Sequence, residues 1–446
     1  MFNNFNHPDN HYSNLFWISR EVCCAADFEG ELTVFGESYQ GQKVRSCVYE
    51  KKGFVGVPVS WALRNGISGK DKTSFPKEKW PSRDFKPRHN QAEVIEKTVE
   101  TLKDERSCLI EAPTSFGKTV TSLRIASEMG TRTLMVTHKI DLLNQWVASA
   151  KEFCGLKKVG KIQGQTVDYD HKFVVATAQS LTSKMDTLPS SFWKNFGFVI
   201  FDESHRFASD TFVDIAAKLS CRYSLGVSAT LRRTDGMEAL WEHHLGKIAA
   251  KGKFSEKRER YLQSPVVDCG LRDNDFYDYR GEIAHTKCIT KIAESAVYNY
   301  HIVQFVNQVV GMGRTPVVLT HRKSQLEILE DLLEEEGYES IGIYAGGKHR
   351  GKTIKPKDLE QASGKDILLA TYNKIGEGVD LDKKYDTVIL ATPTTDSQQS
   401  IGRVSRSKDS KPALIIHPII YGSNYAHALY NKCHKKVYTP LKVKEV

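Results

Sequence analysis

The sequence predicts an α/β protein with two parallel-sheet domains in tandem, preceded by a small β-rich domain. Three observations carry this. First, from Ser107 onward short apolar runs alternate with amphipathic stretches: Ser107 to Ile110, Thr133 to Val136, Phe173 to Ala176 and Phe198 to Phe201 read as strands, with helical segments between several of them. Second, a similar series begins near Thr315, with Pro316 to Thr320, Ile341 to Tyr344, Ile367 to Thr371, Thr387 to Ala391 and Ala413 to His417 as strands. Third, the residues before about Asp84 have a different texture, with strand-like Glu31 to Phe35 and Lys43 to Tyr49, scattered aromatics and a Lys/Pro-rich exit through Lys70 to Arg83.

The 446 residues are too many for one ordinary core. The stretch Gly246 to Arg260 reads as a linker, because its charges cannot pack and its one apolar patch, Ile248 to Ala250, is short. The expected domains are therefore residues 1–84, 85–255 and 256–446. Hydrophobic residues at 40% and charged residues at 26% fit a folded soluble chain and exclude the disordered and fibrous classes. The 63 Lys and Arg against 54 Asp and Glu give +9, which is compatible with a polyanionic partner but modest for this length. Nine scattered cysteines without zinc-ligand spacing or a disulfide pattern read as reduced thiols. The polar start, Met1 to Asn10, does not resemble a secretory signal, and no apolar run is long enough to cross a bilayer, so the expected location is the cytoplasm (the host's, if the protein is viral) with no membrane partner.

The chemistry concentrates in two places. Ala112-Pro-Thr-Ser-Phe-Gly-Lys-Thr119 lies between a predicted strand and a helix running to about Met129 and stopped by Gly130. Such a loop, after Pro113, places the backbone N–H groups of Thr114, Ser115, Phe116, Gly117 and Lys118 at a helix N-terminus, where they cradle the β-phosphate. Lys118 can neutralise β/γ charge and the Thr119 hydroxyl can ligate Mg²⁺; the alternative is a surface turn that opens a helix. Phe198-Val-Ile-Phe-Asp202-Glu203-Ser204-His205 is an apolar strand ending in two carboxylates. Asp202 suits a Mg²⁺ water shell and Glu203 suits the attacking water, whereas the alternative is an acidic pair capping a helix. In the second half, Gln399-Ser-Ile-Gly402-Arg403-Val-Ser-Arg406 sets two arginines three apart, on one face if helical. Guanidinium groups offered there can stabilise γ-phosphate charge, and the alternative is a solvated helix face.

In this order these segments resemble the motifs of the superfamily 2 helicases, from about Phe85 to about His417. The resemblance implies two RecA-like domains and an ATP- and Mg²⁺-dependent motor. Arg88-His-Asn-Gln91 is similar to the adenine-reading element, with Gln91 on the base edge. Thr137-His138-Lys139 and Ala176-Thr177-Ala178-Gln179 resemble the strand-tracking motifs Ia and Ib, and Ser228-Ala229-Thr230 resembles motif III, which couples the ATP site to the bound strand. Thr320-His321-Arg322 resembles motif IV. Thr371 to Asp380 resembles motif V, which places Thr371 on the nucleic-acid backbone and Asp380, with Gly378, near the ribose. Each of these taken alone also fits an ordinary strand end or turn.

Asp-Glu-Ser-His differs from the Asp-Glu-Ala-Asp of the common RNA-unwinding branch. The tail Gly226 to Gly236, with Arg232 and Arg233 expected near DNA or the domain interface, resembles the Rad-type DNA helicases related to XPB and to phage UvsW-like branch-migration helicases. By that resemblance the partner is DNA, branched or forked, held mainly through phosphates and without an obligate protein partner in view. Three other readings stay open: a double-stranded DNA translocase or ATP-gated binding module that never separates strands, the motor of a restriction or nuclease system, and an RNA substrate. Pro8-Asp9 and Glu50-Lys51-Lys52 superficially resemble a nuclease signature. Trp17, Phe54, Trp61 and Trp80 are candidates for base stacking, with core packing as the ordinary explanation for most of them.

Overall fold

The computed structural model describes residues 2–38, 41–75, 77–81, 87–113, 116–204, 207, 209–229, 235–253, 259–376, 384–397, 401–402 and 411–446. The chain forms two compact units, Met1–Lys253 and Phe254–Val446.

The first unit opens with β1 (His11–Tyr12), β2 (Phe16–Ser19), α1 (Ala26–Leu32), β3 (Thr33–Ser38), β4 (Gly41–Ser46), β5 (Tyr49–Lys51), β6 (Phe54–Val57), α2 (Val59–Arg64) and β7 (Lys70–Asp71). Five of the strands make a sheet in the order β5-β6-β2-β1-β7, while β3 and β4 pair only with each other as an antiparallel ribbon. Glu31 and Leu32, expected in a strand, close helix α1, because Phe28 and Leu32 lie four apart and both bury fully.

Next come α3 (His89–Glu105), β8 (Ser107–Glu111), α4 (Lys118–Met129), β9 (Thr133–Thr137), α5 (Ile140–Cys154), β10 (Gly160–Gln163), β11 (Thr166–Asp168), β12 (Phe173–Thr177), α6 (Ala178–Ser183), β13 (Phe198–Asp202), α7 (Ser209–Lys218), β14 (Tyr223–Ser228), α8 (Ala239–Leu245) and β15 (Ile248–Lys251). Their eight strands form one sheet, β11-β10-β12-β9-β13-β14-β8-β15, parallel except for β11. Strands β9, β12 and β13 are buried along their whole length, which is why they read as unbroken apolar runs. The predicted linker is corrected here: Ile248–Lys251 pairs in parallel with β8 as the edge strand of the sheet. An edge strand buries only part of its surface, so its charged surroundings did not prevent pairing.

One face of this sheet is covered by α3, α4 and α5; α5 contributes Leu142, Leu143, Trp146, Val147 and Ala150 at helical spacing. The other face shares a single core with the N-terminal strands: Phe16, Ile18, Phe28, Val55 and Trp61 cluster with Phe201, Phe212, Leu240 and Trp241. Phe212 and Trp241 stack at 4.9 Å and 11° within it. Trp17, Trp61 and Trp80 are buried, and Trp80 donates its indole N–H to the Thr131 carbonyl at 3.1 Å. Phe54 is half-buried beside His11.

The second unit contains β16 (Arg260–Gln263), β17 (Val266–Val267), α9 (His285–Glu294), α10 (Ala296–Gly311), β18 (Pro316–Thr320), α11 (Lys323–Glu335), β19 (Ile341–Tyr344), β20 (Lys348–His349), β21 (Lys352–Thr353), α12 (Pro356–Ser363), β22 (Ile367–Thr371), α13 (Tyr372–Gly376), β23 (Thr387–Leu390), β24 (Ala413–Ile416), β25 (Ile419–Ile420), α14 (Asn424–Cys433) and β26 (Lys444–Glu445). Seven strands form a parallel sheet, β19-β22-β18-β23-β24-β16-β26. Both large sheets thus have the parallel architecture expected of RecA-like domains, whose ligand-binding loops sit beyond the carboxyl ends of the strands.

Candidate functional site

In the first unit the parallel register brings the predicted segments to one edge. Thr137 pairs with Thr177, and Ser228 pairs with Glu111, so the carboxyl ends of β9, β12, β14 and β8 line up beside Asp202 at the end of β13. The loop after β8 contains buried Pro113 and Phe116, then Gly117 at φ 92°, then Lys118 as the first residue of α4. Glycine is required at 117: a Cβ there would sit 2.4 Å from the Gln91 side-chain nitrogen. Gly130, at φ 61°, ends α4 where the sequence predicted.

Lys118 Nζ lies 2.6 Å from Glu203 Oε1, both side chains being largely buried. Glu203 has φ 49°, a left-handed conformation that costs a non-glycine residue about 1–3 kcal/mol. Asp202 is 6% exposed and accepts a hydrogen bond from the Trp146 indole N–H at 2.7 Å. Burial pushes the Asp202 carboxyl up, the neighbouring Glu203 charge pushes it further, and Lys118 and Trp146 oppose both. A buried carboxylate pair with one lysine is short of positive charge, a donor set that suits a hard divalent cation such as Mg²⁺, with the half-buried Thr119 hydroxyl close along the chain.

Gln91 is 3% exposed and both ends of its amide are engaged: Oε1 accepts from Arg88 N at 2.9 Å, and Nε2 donates to the Phe116 carbonyl at 2.7 Å. The side chain thereby ties the start of α3 to the phosphate loop, so bonding a base edge requires exchanging one of these bonds. Arg88 itself is exposed. Ala112 N donates to the Ser228 carbonyl at 2.8 Å, joining the motif III strand to the first residue of the loop. Gly252 supports the loop from the far side, where a Cβ would lie 2.7 Å from Ala112 Cβ and 2.8 Å from the Phe116 ring.

The other predicted contacts divide by burial. Gln179 is exposed, and His138, Lys139 and Ala229 are half-buried. Thr137, Thr177 and Ser228 are buried; the Thr177 hydroxyl accepts from Ser180 N at 3.3 Å and so caps α6. In the second unit Thr320 pairs with Thr371 across β18 and β22, bringing motifs IV and V together. Thr320 is buried; its hydroxyl donates to Gln325, whose amide donates to Asn299 at 2.8 Å and to the Ala391 carbonyl at 3.1 Å. Asn299 and Gln325, both fully buried, form a polar network that sequence patterning did not reveal, because each lies on an apolar helix face. The His321 main-chain N–H donates to Thr392 Oγ1 at 3.1 Å and its ring Nδ1 shares a hydrogen bond with the same hydroxyl at 2.8 Å; burial pulls the imidazole down to about 4, so it is neutral near pH 7. Arg322 spends its guanidinium on α9, donating to Thr290 Oγ1 at 2.9 Å and to the Thr286 carbonyl at 3.0 Å.

Thr114, Ser115, Thr230, Arg232, Arg233, Gly378, Asp380, Gln399, Arg403 and Arg406 lie outside the described residues. Glu50 is ion-paired with Arg20, and among the described residues no three His, Cys, Asp or Glu side chains gather as metal ligands. Among the same residues no helix is long and apolar enough to cross a membrane.

The loop before Lys118, the acidic end of β13 and the Ser228 link lie together on one parallel sheet, and a second parallel sheet follows, the architecture of RecA-like cores. Comparison with known proteins agrees. The Type III restriction enzyme, res subunit family matches residues 84–233. A protein of Acanthamoeba polyphaga mimivirus that carries the name of an ATP-dependent RNA helicase is 29% identical over 75% of this chain and 63% of its own length, so the alignment spans under two thirds of that relative. The DNA 3'-5' translocase XPB2 of Sulfurisphaera tokodaii is 25% identical over 79% of this chain and 85% of its own. The structure of Saccharomyces cerevisiae Dbp5 bound to RNA and ADP BeF3 covers 81% of this chain and 90% of that one, with a TM-score of 0.54 and 11% identity, a likeness of fold. In sequence the chain is related to superfamily 2 helicases, the XPB-type translocases among them.

Proposed function

We propose that the protein is an ATP-dependent DNA helicase or translocase that remodels branched DNA in replication, recombination or repair. The observation that carries this reading is the cluster of Lys118, Glu203 and Asp202 at the carboxyl edge of the first sheet, joined to motif III through Ser228 and Ala112. In it Thr114, Ser115, Phe116 and Gly117 hold the phosphates with backbone N–H groups, and Lys118 balances the β/γ charge. Thr119 and Asp202 hold Mg²⁺, which when bound offsets phosphate charge and polarises the γ-phosphoryl group. Glu203 orients the attacking water, with its side chain released from Lys118 when phosphate takes the lysine. Gln399, Arg403 and Arg406 stabilise the transferring γ-phosphate, and Gly378 and Asp380 lie by the ribose. Arg88 and Gln91 serve adenine recognition, with Gln91 exchanging its Phe116 bond for the base edge.

Nucleic acid is gripped through its phosphates by main-chain and side-chain donors around Thr137, His138, Lys139, Thr177, Gln179, Arg232, Arg233, Thr320, His321, Arg322 and Thr371, so binding is salt-sensitive and weakly dependent on sequence. The buried members of this set, Thr137, Thr177 and Thr320, act by shaping their strand ends. Ser228, Ala229 and Thr230 transmit the state of the phosphate loop.

RNA is the second reading, since the mimivirus relative is named for RNA. The test uses wild type and Glu203→Gln with ATP and Mg²⁺, a labelled mobile four-way junction, a forked duplex, and DNA and RNA of equal length as ATPase stimulators. Wild type is expected to resolve the junction with DNA-stimulated turnover, and the variant to bind without turnover. Stimulation by RNA alone overturns the DNA assignment, and DNA-stimulated hydrolysis with both substrates intact reduces the activity to translocation or gated binding. Mg²⁺-dependent cutting of the DNA establishes the nuclease alternative instead.

A further inference from the structure

A cavity of about 50 Å³ lies on the face of the first sheet that carries the N-terminal strands. Its wall is built from both layers: Ser60 from α2, Ser107 and Ser224 at the amino ends of β8 and β14, His244 from α8, and Arg106 and Arg222 from the adjoining turns. Ser107 is at the opposite end of β8 from the phosphate loop, so this space is separate from the ATP site.

The Oγ atoms of Ser60 and Ser107 and Nε2 of His244 are buried there without a hydrogen-bond partner in the protein, and Ser60 and Ser107 are only 3% and 4% exposed. Leaving such groups unsatisfied costs about 1–3 kcal/mol each, so whatever fills the cavity has to bond them. The lining limits what that can be. None of the lining residues is Asp or Glu, which disfavours a cation, while four serines, Asn14, His244 and two arginines supply donors. Arg106 uses Nη2 on Asp71 at 2.8 Å, and Arg222 lies over the Phe75 and Tyr223 rings with no ion pair among the described residues. His244 is held neutral by burial, and a neutral imidazole still offers one N–H. At roughly 10–15 Å³ per water-sized body, the volume holds about four of them, the scale of a five-atom tetrahedral anion.

We propose that this cavity is a binding site for a small tetrahedral oxyanion of the phosphate class, held by Ser60, Ser107 and His244 between the N-terminal strands and the motor sheet. Occupied, it bridges the two layers and stabilises the whole first unit by mass action. The ligand is either free inorganic phosphate or the terminal phosphate monoester of a strand.

The test follows the thermal unfolding midpoint of the full chain as inorganic phosphate rises at constant ionic strength. Lys118→Ala is run beside wild type to remove phosphate binding at the ATP loop, and Ser60→Ala/Ser107→Ala to remove the cavity hydroxyls. A saturable rise is expected in wild type and in Lys118→Ala. In the double serine variant the apparent affinity should fall at least about tenfold, one lost hydrogen bond's worth, while the phosphate-free midpoint is not lowered, because those hydroxyls have no partner in the protein. A 5'-phosphorylated trinucleotide that matches inorganic phosphate in Lys118→Ala, where its unphosphorylated twin does nothing, assigns the monoester; inertness of both assigns the free ion. Absence of a saturable rise in Lys118→Ala, or a rise undiminished in the double variant, overturns the site and leaves the cavity to water.

Discussion

Trp146→Phe tests the electrostatics of the site with one atom group. The indole N–H is 2.7 Å from Asp202 Oδ2 and both residues are buried, so the substitution keeps an aromatic ring and removes a hydrogen bond to a charged group, worth about 1.5–3 kcal/mol. That bond favours the ionised carboxylate, and its loss raises an already raised Asp202 by about one to two pKa units at 1.36 kcal/mol each. The sign follows from proton binding. With its carboxyl raised, folded Asp202 holds a proton that the unfolded chain has released, so stability falls as pH climbs from the ordinary aspartate range to the raised value. The variant extends that window upward: its extra cost is complete above the variant's own raised value and vanishes once pH falls below the wild type's raised value, where both folded forms hold the proton and only a packing loss on the order of 1 kcal/mol is left. Two assays read this. Unfolding midpoints of wild type and variant should converge as pH falls, and the acid limb of ATP hydrolysis should move to higher pH by about one to two units. A pH-independent stability difference with an unmoved acid limb would refute the assignment of the Trp146 bond to the charge on Asp202.

Three further outcomes are expected. Gln91→Ala leaves Phe116 O and Arg88 N without their partners and should raise KM for ATP about tenfold, for a loss of about 1–2 kcal/mol, with kcat less affected; an unchanged KM would show that the loop holds itself. Gly252→Ala forces its Cβ against Ala112 and Phe116, costing about 1–3 kcal/mol, and should weaken binding of a fluorescent ATP analogue more than it lowers the unfolding midpoint. Because His321 is neutral near pH 7, His321→Asn should leave the salt dependence of DNA binding unaltered at pH 7, measured as the slope of log affinity against log salt; a slope reduced by about one would mean that the imidazole carries charge at a phosphate.

The parallel sheets were legible because strands buried on both faces are apolar throughout, and β9, β12, β13, β18 and β22 announce themselves within about a residue. Their register then decides which loops meet, so Asp202, Lys118 and Ser228 could be placed at one edge from order alone. Edge strand β15 escaped notice because pairing to β8 needs one buried residue, Ala250, and tolerates lysine elsewhere. The Trp146 to Asp202 bond spans 56 positions, and a tryptophan on the apolar stripe of α5 looks like ordinary core. The N-terminal segment was hardest, since its short strands are completed by residues far along the chain: Trp61 and Phe28 sit in the same core as Phe212 and Trp241.

That shared core also joins the carboxyl edge of the first sheet to the N-terminal ribbon. Ser228 O holds Ala112 at the phosphate loop, and a few residues beyond it Asp235 O accepts from Glu37 N of the β3–β4 ribbon at 3.0 Å. Gly36 packs so closely on Asp235 and Met237 that a Cβ would sit 2.3 Å from the Asp235 carbonyl, while Arg45 on the neighbouring strand is ion-paired with Asp214 of α7. The ribbon therefore touches both segments that follow the acidic strand end and motif III. Phe35 and Val44, opposed on the ribbon's outer face, are both more than half exposed, so the ribbon buries one face on these segments and leaves the other to solvent.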